Sequence, residues 1–210
     1  RCARRIRRTF SLKAKPKRAR LYISAHGVYE AYINGKGVGE YVLTPGFSEY
    51  QKIINYQTYD VTDMLLEGEN VFSSLLGDGW WIGRLGISAD SCSYGNRLAL
   101  WMILEIEDDK GNITRVMGDE KFRSFKSAIC YSDLSIGEKV DMQMASDDWK
   151  MPGYDDEGWD ECKRVDGDIS PLKGQADEPA RVVETVEAER IFTTPAGETE
   201  IDFGTVAAGG

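Results

Sequence analysis

The chain has 210 residues and a mass of 23.5 kDa, enough for one sizeable core or for a β-domain with an appendage. Its 35 acidic against 26 basic residues give a formal net charge of −9, which argues against nucleic acid or anionic lipid as the main partner, because phosphate binding is largely electrostatic. No apolar run approaches the roughly 20 residues a helix needs to cross a membrane, so membrane insertion is not expected, and no signal-peptide core opens the chain.

Arg5 to Leu12 reads as an opening strand with imperfect alternation, and the basic residues crowded around it suit a sheet edge protected from self-pairing. Leu21, Ile23 and Ala25 alternate with Tyr22, Ser24 and His26 in the next strand; Gly27 interrupts it and Val28 to Asn34 continues. Asn34–Gly35 is a strong hairpin signal, since both residues tolerate the positive φ of a type I′ turn. Val38 to Tyr50 reads as an ordered loop packed by Tyr41, Phe47 and Tyr50.

Ile54, Tyr56 and Thr58 alternate with Asn55, Gln57 and Tyr59 in a half-buried strand, followed by a helical turn over Met64 to Leu66 that Asp60, Thr62 and Asp63 can cap. Val71 to Leu76 is a further strand, delivering a glycine-punctuated loop that carries Trp80 and Trp81. Leu98, Leu100, Met102, Leu104 and Ile106 form the cleanest alternation; both faces of its first half are apolar, which predicts a central position there. A polar turn at 108–112 returns the chain into Ile113–Met117, and Asn112–Ile113–Thr114 matches a glycosylation acceptor that matters only in a glycosylating secretory pathway. Short strands follow over Phe122–Phe125 and Ala128–Tyr131. Trp149, Tyr154 and Trp159 are expected to plug one end of the fold, and Arg181 to Arg190 and Ile201 to Phe203 read as late strands. Many short strands with regular turn signals and almost no helical periodicity predict an all-β antiparallel β-sandwich, with a jelly roll as the leading topology.

The residues offer few catalytic constellations. The single histidine, His26, reads as a surface or loop-packing residue, and no G-x-S-x-G, Walker or dinucleotide pattern occurs. The four cysteines lack short paired spacing, so there is no zinc motif; free thiols are the default, with a Cys92–Cys130 disulfide left open. Asp155, Asp156, Glu157 and Asp160 read first as a solvated acidic loop and otherwise as oxygen ligands for calcium, and the same holds for the wider-spaced Asp133, Glu138 and Asp141. The better signal is aromatic and polar together. Asp78, Trp80, Trp81 and Arg84, with Asn96 and Arg97, could stack the C–H face of a sugar and satisfy its hydroxyls, or the tryptophans could be packing residues on the sheet rim.

The ordered series YING, LTPG, YQTYDVT, GEN and GDGW, with RLALWMILEIEDDKG, SDLSIGEKVDMQ and PGYDDEGW, resembles the N-terminal β-sandwich region of bacterial α-L-rhamnosidases, inverting glycoside hydrolases, over about residues 7 to 170. The resemblance implies a galactose-binding-like sandwich over 5–172, then a linker and the first strands of a following, truncated β-domain over 173–210. The tail departs from the family's usual DFG-Gln-Asn by placing Thr205 and Val206 after Gly204. It also implies that catalysis belongs to a separate α/α-barrel, so that this chain is a non-catalytic scaffold whose partners are the remaining domains in cis, with no required cofactor. The alternative is a module binding L-rhamnose or a rhamnose-containing glycan with calcium at the residues named above. A periplasmic or secreted location is favoured by the family analogy, with a cytoplasmic one left open.

Overall fold

In the computed structural model, which describes residues 1–205, the chain divides into a unit from Arg1 to Ala180 and a second from Arg181 onward. The first unit holds β1 (Arg4–Leu12), β2 (Arg18–His26), β3 (Val28–Ile33), β4 (Lys36–Gly37), β5 (Ile54–Asp60) and β6 (Gly68–Gly77). A four-residue helical turn, α1 (Gly79–Ile82), precedes β7 (Ala99–Glu107), β8 (Ile113–Met117), β9 (Arg123–Lys126), β10 (Ile129–Asp133), β11 (Gly137–Val140), β12 (Asp160–Glu161) and β13 (Leu172–Gly174). The second unit is a hairpin of β14 (Arg190–Thr193) and β15 (Thr199–Asp202).

Two sheets face each other, ordered β12-β9-β1-β6-β3-β4 and β13-β5-β2-β7-β8, with β10 and β11 as a separate ribbon. The alternations of the sequence become the inner faces. Leu21 and Ile23 of β2 and Met102 and Leu104 of β7 meet Ile33, Phe72 and Leu76 of the opposing sheet in one buried core. Each such side chain contributes roughly 1.5–3 kcal/mol on leaving water. Pairing is antiparallel apart from β13, which runs parallel to β5. This is an all-β sandwich of the jelly-roll, galactose-binding-like kind.

Several expectations are corrected. β1 is internal, hydrogen-bonded to β6 along its whole length and to β9 along its first half. Its arginines are tolerated there because each is given partners. Arg8 lies over the Phe122 ring and donates to the Met117 carbonyl at 2.8 Å. Arg7, 1% exposed, points outward under the segment 149–156: Nε donates to the Trp149 carbonyl, Nη1 to the Tyr154 carbonyl and the Asp156 carboxylate, and Nη2 to the Met151 carbonyl. A guanidinium, with five donors and no acceptor, is one of the few side chains that can organise so many carbonyls in a dry site.

The segment WKMPGYDDEGW therefore crosses the outer face of the six-stranded sheet instead of plugging an end. Trp149 packs against Tyr32 of β3 at 6.2 Å, and Trp159 stacks on Phe125 of β9 at 5.7 Å. Its acidic residues separate accordingly, Asp156 to Arg7 and Asp160 to Arg4. The central half of β7 is its second, because β8 pairs only with Ile103 to Glu107. Residues 181–189 form no regular strand; β14 begins at Arg190. The expected boundary at 172/173 falls inside β13, which is held to the sandwich by its pairing with β5. Only Tyr50 of the three loop aromatics is fully buried, and all four cysteines are free thiols, Cys92 and Cys130 included. Val206 lies outside the described residues.

Local signals resolve as expected at the hairpin: Asn34 and Gly35 take φ of 51° and 81°, turning β3 into β4. The Asn34 side chain then accepts from the Val71 N–H and donates to Asn70, whose own amide closes the Leu66–Gly68 turn. The turn before it is a single 3-10 turn at Thr62–Met64, earlier than predicted, with Asp60 accepting from both the N–H and the hydroxyl of Thr62.

Candidate functional site

β6 ends at Gly77, and the chain turns at once into α1, which carries Trp80 and Trp81. Gly79 permits this: its φ is +50°, and a Cβ there would lie 2.5 Å from Cγ1 of Val28. The turn is closed by Ile82 N–H to the Asp78 carbonyl and Gly83 N–H to the Gly79 carbonyl. Its two tryptophans are thus fixed by the end of a central strand rather than by a free loop.

Trp81 is half-buried and its ring is stacked on His26, centroids 3.8 Å apart and planes 7° from parallel. Tyr50 approaches it at 5.5 Å and Tyr94 at 6.2 Å. Burial lowers the His26 pKa, keeping the imidazole neutral against the indole, and burial raises that of the Tyr50 phenol. Trp80, half-buried like Trp81, lies 5.9 Å from Phe47, which is 55% exposed. Trp81 is a packing residue in an aromatic cluster, and Trp80 joins its edge through the exposed Phe47, whose ring also lies 6.1 Å from that of Tyr50.

The polar candidates fall into two pairs. Asp78 is buried and accepts from the Arg1 main-chain nitrogen at 3.2 Å, while the Arg1 guanidinium donates to the Asn96 carbonyl, so Asp78 and Asn96 share one neighbour. Arg97 is exposed beside Asn96. Arg84 and Asp133, singled out for different roles, are bound to each other: the Arg84 N–H donates to Asp133 Oδ2 at 3.1 Å, and its guanidinium reaches the same oxygen at 3.4 Å and the Tyr131 hydroxyl at 2.9 Å. Burial alone would raise the Asp133 pKa, but the N–H donors of Ser135 and Arg84 and the guanidinium outweigh it and hold the carboxyl below its ordinary value.

Glu138 is exposed on β11, and Asp141 caps the 3-10 turn at Met142–Met144 by accepting from the Gln143 N–H. Among the described residues, no group of three or more His, Cys, Asp or Glu side chains is gathered so that it could hold a metal ion. Two buried polar centres escaped sequence reasoning. One is Arg7; the other is Gln57, which accepts from the Tyr29 hydroxyl at 2.6 Å and donates to Gln175 at 2.6 Å between the sheets. A polar side chain on a core-facing position was the only available signal.

The comparisons agree with this architecture. Residues 14–184 match the family described as the alpha-L-rhamnosidase N-terminal domain. An alpha-L-rhamnosidase of Streptomyces avermitilis is 34% identical over 204 residues, 96% of this chain and 20% of that protein; one from Formosa agariphila is 27% identical, covering 97% and 22%. Among solved structures, the native rhamnosidase of Aspergillus terreus superposes with a TM-score of 0.91 at 32% identity, covering 97% of this chain and 24% of that one. The S. avermitilis enzyme complexed with L-rhamnose gives 0.90 at 34%, covering 97% and 20%. The chain thus spans about a fifth of the length of the curated relatives it matches first. The chain belongs to the α-L-rhamnosidase N-terminal domain family.

Proposed function

We propose that the chain is the non-catalytic N-terminal sandwich of a larger α-L-rhamnosidase, a glycoside hydrolase releasing terminal L-rhamnose from glycans, and that it supports in cis a catalytic domain outside this chain. The observation carrying this reading is the asymmetry of coverage: nearly the whole chain matches relatives of which it makes up about a fifth. The site geometry fits a brace. The Trp81 ring is engaged by His26, Tyr50 and Tyr94, and Arg84 and Asp133 satisfy each other, so these side chains have partners without a ligand. Deleting the module from the parent enzyme is expected to lower the melting temperature of the remainder and its yield as folded protein; an unchanged melting temperature and unchanged turnover would contradict the supporting role.

A second reading has its own observation in the half-buried Trp80 against the exposed Phe47, as a site for L-rhamnose, the sugar held by the S. avermitilis relative. Isothermal titration with L-rhamnose, with and without calcium, tests it. Heat that disappears in Trp80→Ala supports the sugar site, and silence in both conditions supports the brace.

A further inference from the structure

Beyond His26, which the Trp81 ring covers, the outer face of the five-stranded sheet has residues graded along the strands. Strand register sets them in rows. Ser24 lies between Tyr56 and Trp101, whose rings come within 5.7 Å of each other; Ser24 is 1% exposed and donates to the Asn55 carbonyl. In the next row Tyr22 sits between Thr58 and Ile103, with its ring 6.3 Å from that of Tyr56. Arg20 then lies between Asp60 and Glu105, and Arg18 beside Glu107 closes the series. One end of the face is aromatic and half-exposed, the other charged.

Two shallow depressions lie along this same face and share Arg18 and Glu107. One runs over Tyr22, Arg20 and Glu105; the other continues past Lys17 to Asp60 and Thr62. Together they make a continuous track beginning beside the aromatic rows. The charges along it cancel, with Lys17, Arg18, Arg20 and Arg115 against Asp60, Asp63, Glu105 and Glu107, although the whole chain carries −9. Lys17 and Arg18 pair with Glu107, and Arg115 with Glu105, leaving the exposed Arg20 guanidinium between two carboxylates. A balanced row of donors and acceptors next to half-exposed rings complements a neutral chain rich in hydroxyls and C–H faces. It does not attract a polyanion, and Ile103, Ile113 and Met117 add apolar surface beside the rings.

We propose that this outer face is a binding groove for an extended, neutral oligosaccharide chain, stacked on Tyr22, Tyr56 and Trp101 and hydrogen-bonded along the Arg20 and Arg18 rows. It is separate from Trp80, which lies at the end of β6 in the other sheet. The groove itself is read from this face alone; only the choice of a rhamnose-bearing chain as first probe rests on the rhamnosidase reading.

The test is native affinity electrophoresis of the 210-residue chain through gels containing a soluble neutral rhamnose-bearing polysaccharide, a neutral xylan, or polygalacturonate. Retardation by a neutral polysaccharide and none by polygalacturonate is expected. Arg20→Ala, at an exposed position, should weaken the dissociation constant about tenfold, and Tyr22→Ser should abolish retardation while circular dichroism stays unchanged. Retardation by xylan but not by the rhamnose-bearing chain would uphold the groove and count against the rhamnosidase reading. No retardation by either neutral chain, or retardation unaffected by both variants, would overturn the groove and leave the face to a protein neighbour.

Discussion

The two outer faces of this sandwich are finished differently. That of the six-stranded sheet is covered by the chain itself, through a segment wrapped around the buried guanidinium of Arg7 and closed by Trp149 and Trp159. That of the five-stranded sheet carries Tyr22, Tyr56, Trp101 and a charged row with no such cover, and Met117 on it is 50% exposed. The first face is therefore structural, and its buried guanidinium is satisfied internally. The second is available to something outside the sandwich, and changes on it should register in binding before stability.

The largest expected effect breaks the covered face. Arg7→Leu removes the donors that hold three carbonyls and the Asp156 carboxylate, and a loss of about 3–5 kcal/mol is expected in urea unfolding. Trp149→Ala, deleting a ring 3% exposed, should cost a similar 3–5 kcal/mol or so and increase proteolytic nicking of the segment that follows it. Asn70→Ala strands the turn between β5 and β6 and should cost about 2 kcal/mol, read in the same titration. Tyr22→Ser on the open face should change stability by less than about 1 kcal/mol. If Tyr22→Ser proves as damaging as Trp149→Ala, the distinction between the faces fails.

The smallest effect concerns pH. Burial depresses the folded-state pKa of His26 below the ordinary value of 6.5, so the unfolded chain binds the proton more readily. Its share of stability is fully present above pH 6.5 and is lost as pH falls through the folded-state pKa. Thermal melts from pH 7.5 to 5 should show this decline, and His26→Phe should flatten it; a slope unchanged in the variant would show that protonation of His26 does not contribute to it. Asp133 acts in a lower window. Its depressed pKa contributes stability that is present above the ordinary carboxylate range and lost as pH falls through the folded-state value.

The inner faces were legible because Leu21, Ile23, Met102 and Leu104 keep a strict period of two, and the hairpin at Asn34–Gly35 because its chemistry is local. What escaped was set by distant partners. Arg7 resembled an edge charge until the Trp149 carbonyl, 142 residues away, met its guanidinium. Gln57 broke an alternation whose other face proved to be the core, and its bonds to Tyr29, Gln175 and the Pro45 carbonyl make that burial tolerable. Residues 181–189 show the converse, since the alternation read over Arg181 to Arg190 does not distinguish a paired strand from an unpaired extended segment. Around the candidate site, Arg84 and Asp133 were each singled out by residue type, but their pairing across 49 positions was visible only in the fold.

The central claim, that this module is non-catalytic and works through its neighbours in the parent enzyme, is tested most directly by incubating the purified 210-residue chain with an aryl α-L-rhamnoside. No release of the aryl alcohol above a blank is expected, at any pH from 4 to about 8, because rhamnoside cleavage requires a placed pair of carboxyl groups. Turnover by the pure chain that vanishes when Asp78 or Asp133 is replaced by Asn would contradict it.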